Sequence, residues 1–356
     1  MRIVSVFAVG GLALSAAACG EAPKNNEGGS NAANKYTACM VTDTGGIDDK
    51  SFNAGAWAGL QAAQKTQSNV DPKYVASAAE ADYEPNLTQY VNQKCNFILA
   101  VGGLMRDATL KIAQANANQE FGIVDSKIAE VKNVYPMQFD TAQAAFLAGY
   151  LAAGYSKTGT VATYGGMKIP PVTIFMDGFV DGVAHYNKVK NKDVKVLGWN
   201  KATQNGTFAE AFTDQAKGKA ISDTFVAQRA DVIMPVAGGT GLGTASAAKE
   251  SGKFSVIWVD SDGCESAAQY CSAFLSTVEK NISGAVEQAV VAGAKGDKLD
   301  NATGYVGTLA NDGVSLAPYH EFDGKVPAEL KAEVEKLKAD VVSGAIKVES
   351  PNSPTK

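Results

Sequence analysis

The residues of this chain best placed to do chemistry are aspartates. Asp43, Asp107, Asp125, Asp260 and Asp262 each follow a short apolar run or a glycine pair, the places where a strand stops or a helix starts. An ionised carboxylate only accepts hydrogen bonds, so several together suit a ligand rich in hydroxyl and amine donors. With few basic residues beside them, they do not suit a phosphate. Catalytic readings have thinner support. The chain holds two histidines, His185 and His320, far apart, which leaves little for a Ser-His-Asp enzyme or a histidine-rich metal centre. The run Gly238-Gly239-Thr240-Gly241-Leu242-Gly243 has the wrong spacing for GxGxxG, and neither GxxxxGK[ST] nor GxSxG occurs. Asp43, Asp48 and Asp49 lack the calcium-loop spacing and its closing glutamate. Paired carboxylates could do acid–base work, but nothing supplies a nucleophile. No cofactor and no metal is expected, and binding is favoured over catalysis.

These aspartates need strands and helices to hold them. Tyr36–Thr42 reads as a strand ending at Asp43, and Ser51 as the cap of a helix carrying Phe52, Ala56, Leu60 and Ala63. Lys73–Ser77 and Asn96–Val101 read as further strands. Gly102-Gly103 opens a helix through Asn118, and Phe121–Val124 is a strand ending at Asp125. Such alternation specifies a parallel sheet with helices on both faces, an α/β fold. The unit occurs twice: Phe97–Asn116 followed by Phe121 and IVDS, and Val232–Ser251 followed by Phe254 and VIWVDS. Two matched glycine turns and two matched aspartates predict two similar lobes rather than one continuous sheet. Ligands of such sheets sit beyond the carboxyl ends of the strands, so the aspartates would meet in a cleft between lobes.

Composition sets the boundaries. The 356 residues are 46% hydrophobic and 19% charged, enough to bury two cores. Thirty-two basic residues against 37 acidic ones give a net charge of −5, which argues against a nucleic-acid partner. Arg2 precedes an apolar run, Ile3 to Ala18, with small residues leading into Cys19. This resembles a bacterial lipoprotein signal over 1–18, with Cys19 lipidated, residues 19–35 a flexible tether and the body on the extracytoplasmic face of a cell membrane; an ordinary cleaved signal is the alternative. Beyond Ala18 no apolar stretch approaches the ~20 residues of a membrane span. Cys39, Cys95, Cys264 and Cys271 remain, with three possible pairings. Cys39 lies in the first strand, Cys95 begins another, and Cys264 and Cys271 bracket a short loop. Cys39–Cys95 and Cys264–Cys271 are therefore favoured, against four buried thiols.

From Val41 to Asn53 the sequence VTDTGGIDDKSFN resembles the opening signature of the basic membrane protein family of substrate-binding lipoproteins, whose best-understood members are purine nucleoside receptors. The resemblance continues through VGGLMRDA (Val101–Ala108), FTDQAKGK (Phe212–Lys219), VAGGTGLG (Val236–Gly243), VDSD (Val259–Asp262) and STVEK (Ser276–Lys280). It implies a type I periplasmic-binding-protein fold, with two Rossmann-like lobes joined by three hinge crossings. Residues 36–138 and 273–302 would form one lobe, and 139–272 with 303–350 the other. It also implies a purine nucleoside ligand, an ABC-type permease partner and membrane attachment through the N-terminal lipid; a monomer is expected. By residue-wise carry-over, Phe52 and Phe212 would sandwich the nucleobase, Asn53 and Asp107 would read its edge, and Asp43 would contact the ligand nearby. Gly238, Asp260 and Lys280 would hold the ribose. Phe208 is a rival to Phe212, and Asp125 is set aside as a residue that could merely cap a turn. A secreted hydrolase or transferase acting on nucleosides, and a signalling receptor, are the competing function classes.

Overall fold

The apolar run of Tyr36–Thr42 (β1) is buried from Ala38 onward, as a strand covered on both faces must be. The computed structural model describes residues 35–354, so the expected signal peptide, the lipidation at Cys19 and nearly all of the tether lie outside them. After β1 come α1 (Phe52–Thr66), β2 (Val70–Val75), α2 (Tyr83–Asn92), β3 (Phe97–Val101), α3 (Arg106–Ala115), β4 (Glu120–Val124) and β5 (Val134–Phe139). A second series follows: α4 (Thr141–Tyr155), β6 (Thr160–Gly165), α5 (Pro170–Lys190), β7 (Lys195–Leu197), the ribbon β8 (Trp199–Asn200) and β9 (Asn205–Gly206), α6 (Gln215–Ala227), β10 (Val232–Val236), α7 (Gly241–Ser251), β11 (Ser255–Asp260), the one-turn α8 (Gly263–Ser266) and β12 (Phe274–Lys280). The chain then adds α9 (Ile282–Lys295), β13 (Tyr305–Gly307), β14 (Val314–Leu316) and α10 (Ala328–Val342).

Two six-stranded sheets result, in the orders β2-β1-β3-β4-β5-β13 and β7-β6-β10-β11-β12-β14. One order is repeated, with the repeat found in the sequence at its centre: β3 and β4 correspond to β10 and β11. Within these two sheets all pairs are parallel except β12 with β14. This is the α/β architecture of two parallel-sheet lobes that the alternation predicted.

The lobe boundaries differ from those expected at 273 and 302. Phe274–Lys280 stays in the second sheet, hydrogen-bonded between β11 and β14, and the chain crosses only at Asn281. Tyr305–Gly307 still belongs to the first sheet, beside β5. A strand with neighbours on both sides cannot leave until its ladder is complete. The three crossings are tied together: Asp140 N–H donates to the Gly307 carbonyl (2.8 Å), Asn281 N–H to Gly313 (3.0 Å) and Leu309 N–H to Gln143 Oε1 (3.0 Å). Two smaller differences have local causes. β2 begins at Val70 rather than Lys73, because an edge strand tolerates Pro72. The helix after Gly102-Gly103 stops at Ala115, where Asn133 Nδ2 takes the carbonyls of Ala113 and Asn116.

The core follows from the same pattern. β3 and β10 are buried at every position. Helix α4 is apolar nearly all round and buries 12 of its residues, packing on α5. Their close approach requires Gly182, where a Cβ would stand 2.0 Å from the Phe146 carbonyl oxygen. Both favoured disulfides form, Cys39–Cys95 across the first core and Cys264–Cys271 around a short loop. No helix among the described residues is long and apolar enough to cross a membrane.

Candidate functional site

A cavity lies where the carboxyl ends of both sheets meet, a place where small ligands commonly bind. Its first wall is the start of α1. Asp49 Oδ1 accepts from the backbone N–H of Ser51 and Ala54 (both 3.1 Å), and Oδ2 from that of Asn53 (2.7 Å). Asp49, not Ser51, therefore caps this helix, and Ser51 makes no side-chain cap bond. The cap orients Asn53, whose Nδ2 donates to Asp43 Oδ1 (2.8 Å) and Asp49 Oδ2 (3.2 Å). Asn53 Oδ1 is left buried and unpaired, an acceptor facing no donor. Beside them, Gly102 at φ 116° keeps the approach to Asp43 open, since a Cβ there would sit 2.6 Å from Asp43 Oδ2.

The floor is built by the internal repeat. Asp125 and Asp260 follow or close the equivalent strands β4 and β11, both in the left-handed region (φ 65° and 70°). A non-glycine residue held there costs about 1–3 kcal/mol and persists where the surroundings enforce it. Lys280, the last residue of β12, stands between them with its side chain 2% exposed, ion-paired to Asp125 and 3.6 Å from Asp260. Its Nζ lies 4.7 Å from the Phe52 ring centroid and 5.5 Å from those of Phe139 and Phe175. Because Asp125 belongs to the first lobe and Lys280 to the second, this pair joins the lobes across the cleft. Ser261 Oγ does the same, donating to the Ser51 carbonyl (3.0 Å).

Burial dominates the electrostatics. It raises all four carboxyl groups above the usual aspartate range, Asp49 and Asp260 to about 6. Hydrogen bonds from Asn53 and Gly45 oppose the rise at Asp43, and Lys280 opposes it at Asp125 and Asp260. A ligand that donates hydrogen bonds to these carboxylates relieves the strain of keeping them ionised in a dry site.

The structure brings together Asp43, Phe52, Asn53, Phe212, Gly238, Asp260 and Lys280, all on the cavity wall. It does not bring Asp107 there. That side chain is 92% exposed on the first turn of α3 and ion-pairs with Arg106. Asp262 also turns away, capping α8 through the Cys264 N–H (2.9 Å) and pairing with His320 (2.6 Å). Of the two rival aromatics, Phe208 packs edge-on against Trp199, whereas Phe212 faces the cavity, its carbonyl fixed by the Thr240 N–H (3.0 Å). Asp125, one of the strand-end aspartates, matched to Asp260 by the repeat but set aside as a turn cap, stands on the cavity wall. Sequence reasoning missed Asp49. It also missed Ile169, Pro171, Val172 and Phe175, the wall supplied by the start of α5. Apolar residues opening a helix carry no mark separating them from core. Asp262, Cys264 and His320 are the one cluster among the described residues with metal-ligand side chains close enough together, and Cys264 is committed to its disulfide.

The arrangement offers an aromatic ring from each lobe, a ring of acceptors and one ammonium, with no phosphate cradle. Residues 36–350 match the family described as ABC transporter substrate-binding protein, PnrA-like. The chain is 32% identical to the "ABC transporter nucleoside-binding protein BmpA" of Lactococcus lactis subsp. cremoris, over 88% of this chain and 89% of that one. It is 30% identical to a "CD4+ T-cell-stimulating antigen" of Listeria innocua, over 97% and 96% respectively. Among solved structures it is similar to an ABC transporter solute-binding protein of Aeropyrum pernix K1, with a TM-score of 0.79 and 24% identity over 89% of this chain and 94% of that one.

Proposed function

The chain belongs to the PnrA-like, or basic membrane protein, family of ABC transporter substrate-binding proteins, and from that premise we propose that it captures nucleosides, purine nucleosides in particular, and delivers them to an ABC-type permease. The observation that carries this reading is the pairing of two aromatic rings, Phe52 and Phe212, one from each lobe, with the acceptors of Asp43, Asn53, Asp125 and Asp260. Aromatic rings stack on any base, each worth about 1–3 kcal/mol by truncation, and a purine offers the larger face. Asp260 can accept from vicinal ribose hydroxyls while Lys280 donates to a ribose oxygen. The unpaired Asn53 Oδ1 can take an exocyclic amine or ring N–H of the base. Asp107 enters this reading only through its motif. Lipid on Cys19 would hold the protein, as a monomer, at the extracytoplasmic face beside its permease.

Native mass spectrometry of protein purified from its own host tests the proposal. The expected result is an adduct with the mass of an intact nucleoside, and chromatography after incubation with that nucleoside should return it unchanged. An adduct with the mass of a sugar, amino acid or nucleotide would contradict the assignment, and conversion to free base would move the protein into the hydrolase or transferase class.

A further inference from the structure

The segment after α10 touches both the wall of the cleft and its hinge. Lys201 Nζ holds the Glu349 carbonyl (2.6 Å). Ser350 Oγ then donates to Asp177 Oδ2 (2.6 Å), a fully buried carboxylate on α5 whose other oxygen takes Trp199 Nε1 and Gln204 Nε2. Asn352 Nδ2 donates to Thr173 Oγ1 (2.9 Å), also on α5. Ser353 Oγ finally reaches Asp140 Oδ1 (3.0 Å). Thr173 and Asp177 share the first turns of α5 with Ile169, Pro171, Val172 and Phe175, the apolar wall of the cavity. Asp140 is the first residue after β5, at the first crossing between lobes, and its own N–H holds the third crossing through Gly307.

We infer that Ser350, Asn352 and Ser353 are positioning residues for ligand capture: they strap the cavity wall on α5 to the hinge at Asp140 and so bias the lobes toward the closed arrangement. The polar chemistry is specific. Each of the three side chains satisfies a half-buried or buried partner on an element that shapes the cleft, and none touches the cavity. Asp140 needs the strap most, because it is buried enough for its carboxyl to lie above the usual range, with Ser353 and Gln143 as its two side-chain donors. Without Ser353 the hinge residue loses one of its two side-chain donors, which loosens a crossing still tied by the Gly307 carbonyl. The strap acts on the closed fraction, and affinity falls in proportion to that fraction.

This inference rests on capture of a nucleoside between the lobes, so its test has one readout that needs no ligand. Hydrogen–deuterium exchange on the ligand-free full chain reads the amides of Asp140, Asn281 and Leu309, with the amide of Ile98 in β3 as the control for global opening. Calorimetry with a purine nucleoside reads affinity. For Ser353→Ala the expected result is faster exchange confined to the three crossings and binding weakened roughly fivefold, the loss of one hydrogen bond's bias. Ser353→Thr, which keeps the hydroxyl, should restore both. Asn352→Ala should act in the same direction through Thr173. Unchanged hinge exchange in Ser353→Ala would overturn the inference, as would faster exchange with unchanged affinity, since the segment would then be structural only. If the wild-type chain binds no nucleoside, the ligand assignment fails while the exchange comparison still decides whether the strap restrains the hinge.

Discussion

At the scale of single residues, the cleft is four buried carboxyl groups and one ammonium, and its behaviour with pH follows. Asp49 and Asp260 are raised by burial to about 6 in the folded chain, against about 4 when unfolded. A group bound to its proton more tightly in the folded state stabilises that state at low pH, fully below about 4, and the benefit is lost as pH rises through about 6. The ligand-free protein should therefore gain thermal stability between pH 7.5 and pH 5, and Asp260→Asn should flatten that rise, both readable by thermal unfolding. Ligand binding runs the other way. Donors on the ligand favour the ionised carboxylates, so affinity should weaken as pH falls below about 6, checked by calorimetry in matched buffers. At neutral pH, Asp260→Ala should weaken a nucleoside by roughly tenfold to a hundredfold, the cost of about 1.5–3 kcal/mol for a lost charged hydrogen bond. Residue types marked the strand-end aspartates Asp43 and Asp260, whereas Phe52, Asn53 and Lys280 were legible only through the motifs that carry the family resemblance. Asp125 was passed over because a strand-end aspartate reads equally well as a turn cap until its partner on another strand is seen.

Among elements, the prominent contact is α4 on α5, with backbones close enough that Gly182 has no room for a side chain. Gly182→Ala should cost about 1–3 kcal/mol, because the nearest atom is a backbone carbonyl that cannot swing aside; denaturant unfolding measures it. The disulfides separate by loop length. Cys39–Cys95 closes a loop of 56 residues and Cys264–Cys271 one of 7. Chain-entropy reasoning gives ~4 kcal/mol for the first and ~2 kcal/mol for the second, so replacing both cysteines of the longer loop by alanine should lower stability more. The elements themselves were largely legible. Strands such as NFILAV announce themselves as buried runs, and the doubled glycine turn announced the repeat. Boundaries were not, because they depend on partners: β2 starts early since it lies at an edge, and α3 stops where Asn133 takes its last carbonyls.

For the whole molecule, two copies of one sheet order face each other across a cleft that Lys280–Asp125 and Ser261–Ser51 already bridge. The pairing of lobes was legible from the repeat, whereas the crossing points were not, because β12 looks like any strand until its neighbours on both sides are known. If the ligand is the proposed nucleoside, closure has a definite chemistry: the rings would take the base, the acceptors the sugar, and four carboxyl groups would disfavour added negative charge. Calorimetric titration with a purine nucleoside, its free base and its 5′-monophosphate tests this most directly. The nucleoside should bind tightest, the free base more weakly for want of the sugar contacts, and the monophosphate weakest of all. A monophosphate that binds as tightly as the nucleoside would contradict the assignment of the cleft.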